Sequence, residues 1–107
     1  MKIQELIVLG TGGNFGDALE ELKKGGCVTR EGWNGKGMFL FLVDGSRFKV
    51  SRAPLNKIFP EGTTIDYCPH IDLKDAHGKI STWAPSIQDT LAEDWQSVKV
   101  KVENNDE

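Results

Sequence analysis

A single amphipathic helix is the sequence feature that most constrains the fold. Between residues 15 and 22, apolar side chains recur at the spacing of one helical face, and charged side chains occupy the other face. Asn14 followed by Asp17 resembles a capping box, and Gly25-Gly26 is typical of a helix end. Glycine and proline divide the rest into short runs with strand character. We therefore predict an α+β fold, a small antiparallel β-sheet with one main N-terminal helix packed on it and short extra helical turns.

The chain length sets the domain organisation. A chain of 107 residues suits one compact domain with a modest core. We predict a flexible, glycine-rich N-terminal lead-in or extension over residues 1–13, a single α+β domain over 14–102 and a polar acidic tail over 103–107.

Short apolar or alternating runs predict the strands. They lie at residues 6–9, 27–30, 38–43, 47–50, 63–67, 71–74, 79–83 and 95–102. Asp44-Gly45 predicts a turn that returns the chain from 38–43 into a half-buried strand at 47–50. Because residues 38–43 are apolar throughout, we expect both of their faces to be covered, one by the helix and one by another subunit.

Glycines between Gly10 and Gly16 resemble a dinucleotide-binding fingerprint. The third glycine comes one residue late, since Phe15 occupies its place. The fingerprint also requires alternating strands and helices around a parallel sheet, which the strand-rich remainder does not predict. We therefore favour a lead-in that ends in a helix cap.

The loop from Arg30 to Gly37 contains groups that suit a planar, charged ligand. Trp33 offers a ring for stacking, Asn34 offers amide donors and an acceptor, and Lys36 offers a mobile cation. From the residues alone, a second interpretation stays open: Asn34-Gly35 forms a tight turn and Trp33 fills the core.

Few residues suggest catalysis, a metal or a macromolecular partner. The set Tyr67, Cys68, His70, Asp72 and His77 has no zinc-ligand spacing, and no nucleophile motif accompanies it, so we expect no cofactor and no enzyme activity. The net charge of −3 argues against nucleic acid polymers. Two widely spaced cysteines and the lack of a long apolar run predict a cytoplasmic protein with no membrane partner.

Several spaced motifs together carry a resemblance to a known family. They are Phe15-Gly16-Asp17-Ala18-Leu19, residues 30–38, Ile65-Asp66-Tyr67, Pro69-His70-Ile71-Asp72, Trp83 and Leu91-Ala92-Glu93-Asp94-Trp95. From about Asn14 to Val98 the sequence resembles the second Thoeris anti-defence family, small phage and prophage proteins. Residues 1–13 depart from the usual start of this family.

This resemblance implies an anti-defence sponge. Such proteins bind a cyclic ADP-ribose-type immune signal, in some relatives also cyclic oligonucleotides, and hold it without cleavage. The family implies a homotetramer with ligand sites at subunit interfaces. Two other functions stay open from the sequence, a nucleotide-cleaving enzyme and a non-catalytic interaction module.

Combining the resemblance with the side-chain chemistry gives a set of candidate ligand-binding residues. We expect Trp33 to stack on the base, Asn34 and Asp72 to bind polar edges, and Lys36 with Arg47 or Arg30 to contact phosphates. Gln88 and Asp89 would complete the site from the short helix that Ser86 caps.

Overall fold

The computed structural model describes the backbone of residues 2–33 and 36–103. Helices α1 and α2 span Phe15–Lys23 and Ile87–Leu91, and a 3-10 turn spans Leu55–Lys57. The strands are β1 Lys2–Gly13, β2 Cys27–Arg30, β3 Phe39–Val43, β4 Ser46–Lys49, β5 Thr64–Tyr67, β6 His70–Lys74, β7 Ile80–Thr82 and β8 Trp95–Glu103. The predicted α+β fold with one main helix is confirmed.

Six strands form the main sheet. Their order is β1-β8-β2-β3-β6-β7, and every neighbouring pair is antiparallel. The predicted strands at 71–74 and 79–83 form a hairpin as β6 and β7, and Gly78 takes the positive φ (+86°) that its turn requires. Because no described pair of strands is parallel, Gly10 and Gly12 lie in an antiparallel strand and not in a dinucleotide-binding βαβ unit.

Helix α1 covers one face of the sheet. Its capping box forms as predicted, with Asn14 accepting from the Asp17 amide at 2.8 Å and donating to the Asp17 carboxylate at 2.9 Å. The apolar face buries Ala18 and Leu22 among core residues of the central strands and Trp95. Alternation along β6 turns Ile71 and Leu73 toward this core and places Asp72 on the opposite face.

Strand β1 is longer than the predicted strand at residues 6–9. In place of a flexible lead-in, Lys2–Gly13 pairs with β8 along its length, although three register irregularities interrupt the ladder. Glu5 and Lys101 form an ion pair across the two strands (3.5 Å). Ile7, Val8 and Leu9 remain exposed on this sheet edge. The domain boundaries themselves stay a prediction.

Residues 46–67 form a separate element that we call the arm. Strands β4 and β5 pair only with each other, in a second sheet of two strands, and enclose the 3-10 turn. The predicted return of β4 along β3 is therefore wrong, and β4 is exposed throughout. The reason is non-local, because β6 already occupies the free edge of β3 and Gly45 turns the chain against the Tyr67 carbonyl.

Candidate functional site

We call the loop from Arg30 to Gly37 the Trp33 loop. Four aromatic side chains meet where α1 and Trp33 pack against the start of β8. We call Phe15, Trp33, Trp83 and Trp95 the aromatic cluster. The ring centroids of Trp33 and Trp95 are 5.5 Å apart in an edge-to-face arrangement, and Phe15 and Trp83 lie 5.7 and 6.1 Å from Trp95. Trp95 is buried, whereas Trp33 and Trp83 are half-buried. The structure is therefore compatible with both interpretations of Trp33, a ring that fills the core and a ring that stacks on a ligand, since the packed ring still has solvent-accessible surface.

Asp89 connects Trp33 to the rest of the fold. Its Oδ1 accepts hydrogen bonds from the Arg30 guanidinium (2.9 Å) and from Trp33 Nε1 (3.2 Å). Its Oδ2 accepts from the Ser86 amide at 3.0 Å, which closes the capping box of α2. The Asp89 carbonyl accepts from Trp95 Nε1 at 2.9 Å. The carboxylate thus joins the end of β2, the Trp33 loop and α2.

Asp94 fixes the start of the loop. Its Oδ1 accepts from Arg30 Nε and its Oδ2 accepts from the Gly32 amide, both at 2.8 Å. A Cβ added at Gly32 would lie 2.8 Å from Asp94 Oδ2, so glycine permits this close approach. We call Arg30, Trp33, Asp89 and Asp94 the Asp89 network. Arg30 is half-buried and pairs with both carboxylates of this network.

The far side of the loop is anchored separately. Lys74 on β6 donates from Nζ to the Gly37 carbonyl at 3.0 Å and lies 5.8 Å from the centroid of the Phe39 ring. Gly37 adopts φ +72° at this anchor, and the neighbouring Lys36 is exposed. The predicted ligand contact and turn at Asn34 lie outside the described residues. Lys36 forms no salt bridge with any residue that the structure describes, and it lies on a loop with two anchored ends.

One chain does not bring all the candidate residues together. Arg30, Trp33 and Asp89 are adjacent, and Gln88 is exposed on α2 beside Asp89. Asp72, by contrast, is on the sheet face opposite α1, where it pairs with His70 at 3.2 Å. Arg47 is on the arm, paired with Asp66 at 3.2 Å. The candidates therefore divide into a loop group, a sheet-face group and an arm group.

The electrostatics of the network favour ionised carboxylates. The hydrogen bonds from Arg30 hold the pKa of Asp94 below its usual range, helped by the Gly32 amide. Burial raises the pKa of Asp89, but hydrogen bonds from Ser86, Arg30 and Trp33 outweigh it and leave that pKa lowered. Both carboxylates in turn raise the pKa of Arg30. At neutral pH both carboxylates are therefore ionised and paired with Arg30, and the network braces the loop that carries Trp33.

Acid should weaken this network. Because the folded pKa values of Asp89 and Asp94 are lowered, their stabilisation is complete above the unfolded pKa, about 4, and is lost as pH falls through the folded values. We expect the free energy of unfolding, measured by urea titration, to be level near neutral pH and to fall below about pH 4. The Asp94→Asn variant should show a shallower fall than the parent. Parallel pH profiles for the two proteins would contradict this prediction.

The described residues form neither a metal-binding cluster nor a membrane-spanning helix. Within residues 2–33 and 36–103, no three His, Cys, Asp or Glu side chains are close enough to hold a metal ion. In the same part of the chain, no helix has the length and apolar character needed to cross a membrane.

Sequence reasoning missed two residues that organise the loop. Neither Asp94 nor Lys74 is among the candidate residues that the sequence identifies. The role of Asp94 follows from the pairing of β2 with β8, which sets Arg30 opposite Trp95. This register places the carboxylate of Asp94, the residue before Trp95, beside the Arg30 guanidinium. That register joins residues more than sixty positions apart, so no local pattern reveals it.

The fold and the Trp33 loop together indicate the class of protein. It is a small α+β domain in which a loop with a tryptophan is anchored beside the main helix. A family model described as Tad2-like, the Thoeris anti-defense 2-like domain, matches residues 13–98. The chain is also 46% identical over 89 residues to Thoeris anti-defense 2 of Bacillus phage SP01, covering 79% of this chain and 93% of that protein. The chain therefore belongs to the Tad2-like family, and the resemblance found in the sequence is confirmed. Most of β1 lies outside the family match.

Proposed function

We propose that this protein is an anti-defence sponge in the host bacterial cytoplasm. It would bind a cyclic ADP-ribose-type immune signal, with cyclic oligonucleotides as further ligands, and hold it without cleavage. The observation that carries the proposal is membership of the Thoeris anti-defense 2-like family across residues 13–98. A sponge needs a tight site and acts by mass action, so it requires no catalytic group.

The anchored loop supports this function. The Asp89 network and Lys74 hold both ends of a loop that carries Trp33 and Lys36. A ring already packed against Trp95 loses little freedom when a base stacks on it, which favours tight binding. In this proposal Trp33 contacts the base, Lys36 a phosphate, and Asn34 and Gln88 polar edges. Arg30 and Asp89 do not contact the ligand in this proposal; Asp89 holds Trp33 in place by accepting its Nε1 hydrogen bond, and Arg30 pairs with Asp89.

The separation of the candidate residues supports binding between subunits. Asp72 lies on the sheet face opposite α1 and Arg47 lies on the arm, and their ion-pair partners are His70 and Asp66, not residues of the Asp89 network. We infer that a site which uses them with Trp33 draws on a second protomer. We propose a homotetramer with such interface sites, as the family implies, and sedimentation or light scattering of the purified protein tests the mass.

The main experiment is calorimetric titration with a cyclic ADP-ribose signal, followed by heating and chromatography of the released ligand. A sponge gives saturable binding and returns the ligand unchanged. Release of cleaved products would assign the protein to enzymes instead. Absence of binding to this signal and to cyclic oligonucleotides would favour an interaction module.

Trp33→Leu should weaken binding of the signal by about 1–3 kcal/mol, roughly fivefold to 150-fold, because it keeps apolar bulk but removes the stacking ring. The structure argues for leucine over alanine, since Trp33 also packs on Trp95. Trp33→Phe is the matched control, because it keeps a ring and loses only the hydrogen bond to Asp89. Unchanged affinity in Trp33→Leu would exclude the stacking role.

A further inference from the structure

The arm contains a cavity that the Trp33 loop does not share. It has a volume of 510 Å³ and opens to solvent between β4, β5 and the segment before the 3-10 turn. Its lining includes the aromatic residues Phe48 and Tyr67, the cations Lys49 and Arg52, the polar Ser51 and the apolar Leu55. Pockets that bind small molecules commonly measure about 300–1,000 Å³, so the arm cavity is large enough for one.

Two aromatic rings form one wall of the cavity. Phe48 pairs with Ile65, and Tyr67 follows two residues later, so Phe48 and Tyr67 share a face of the arm. Their centroids are 5.6 Å apart with planes tilted by 47°. Phe48 is 37% exposed and Tyr67 52% exposed, so both rings are accessible. Accessible rings beside a cavity suit a planar ligand that can stack on them.

Charge in the arm has the opposite sign to charge in the whole chain. Residues 46–67 contain four cations (Arg47, Lys49, Arg52 and Lys57) against two carboxylates, whereas the chain carries −3. Arg47 is paired with Asp66, but Arg52 forms no salt bridge with any described residue. Lys49 also lines the cavity, so the described residues of the lining supply two cations and no carboxylate. Of the two, Arg52 carries the planar guanidinium that can bind phosphate oxygens through two N–H groups, and we therefore assign the anion contact to Arg52.

From these observations we propose that the arm cavity is a second binding site, for a ligand that joins a planar ring to a phosphate, as in a mononucleotide. The ring stacks on Tyr67 and Phe48, and the phosphate accepts hydrogen bonds from the Arg52 guanidinium, whose planar fork suits phosphate oxygens. The site lies on the arm and uses no residue of the Asp89 network, so it does not depend on the function proposed for the Trp33 loop.

The test is an amide NMR titration of the full-length protein with adenosine monophosphate. We expect shifts in the signals of Phe48, Arg52 and Tyr67, and no shift in the indole N–H signal of Trp33. Adenosine and inorganic phosphate should each bind at least tenfold more weakly, because each retains only one of the two contacts. Absence of arm shifts at about 10 mM nucleotide would overturn the proposal.

Matched variants separate a site from general charge attraction. Arg52→Ala and Tyr67→Leu should each weaken the binding of adenosine monophosphate by about tenfold or more. Lys57→Ala removes the same charge from the arm without touching the cavity lining and should leave affinity within about twofold. An equal loss in Lys57→Ala would reduce the effect to non-specific attraction and overturn the proposal.

Two further outcomes distinguish this site from others. If Tyr67→Leu lowers the mass of the assembly and the parent binds no adenosine monophosphate, the rings serve contact between copies of the chain and the proposal fails. If arm shifts persist in Trp33→Leu while that variant no longer binds the immune signal, the two sites are separate. Loss of both in Trp33→Leu would show a single shared site and contradict the inference.

Discussion

Asp89→Ala is expected to lower the free energy of unfolding by about 2–4 kcal/mol. The Asp89 side chain is 12% exposed, and its removal leaves the Arg30 guanidinium, 18% exposed, without one of two carboxylate partners. It also removes the acceptor of Trp33 Nε1 and opens the capping box of α2. Breaking a buried ion pair costs more than the pair contributes, because the remaining charge is desolvated and unpaired. Urea unfolding at neutral pH measures the loss.

The chain offers a matched control in α1. Asp17 occupies the same position in the first capping box that Asp89 occupies in the second, but it is exposed. Asp17→Ala should therefore cost only the cap, about 1 kcal/mol. Asp89→Asn keeps an oxygen acceptor without the charge and should fall between the two. Equal losses in Asp89→Ala and Asp17→Ala would mean that the Asp89 network adds no stability beyond capping.

Much of the fold follows from local patterns in the sequence. Helix α1 and its capping box were predicted because each depends on residues within a few positions of one another. The pairing of β4 was predicted wrongly for the opposite reason. A turn at Asp44-Gly45 is locally consistent with a hairpin, but β6 forms five residue pairs with β3 and leaves β4 no place beside it.

The candidate site was only partly predictable. Side-chain chemistry identified Trp33 and Arg30 as candidate ligand-binding residues. The structure adds that the Arg30 guanidinium pairs with Asp89 and Asp94. A guanidinium that binds phosphate and one that braces a loop look alike in sequence, since only partners distant in the chain distinguish them. Asp72 and Arg47 show the same limit, because their distance from Trp33 depends on sheet topology and not on spacing.

Trp95→Ala is expected to cost about 3–5 kcal/mol, a large share of the roughly 5–15 kcal/mol that stabilises a domain. Trp95 is 2% exposed and contacts Phe15, Trp33 and Trp83, so its removal opens a cavity in the aromatic cluster. Its Nε1 also donates to the Asp89 carbonyl. Denaturant unfolding followed by circular dichroism measures this loss without relying on the altered fluorescence.

Two companion variants separate packing from the hydrogen bond. Trp95→Phe keeps most of the ring but leaves the Asp89 carbonyl without its donor, so we expect about 1–3 kcal/mol. Trp83→Ala truncates a half-buried ring of the same cluster and should cost less than Trp95→Ala, because less surface was removed from water. If Trp83→Ala were the more costly of the two alanine variants, Trp95 would not be the centre of the cluster. Support for the Trp33 loop would then come mainly from Trp83, which follows β7 and lies 6.4 Å from Trp33 between ring centroids.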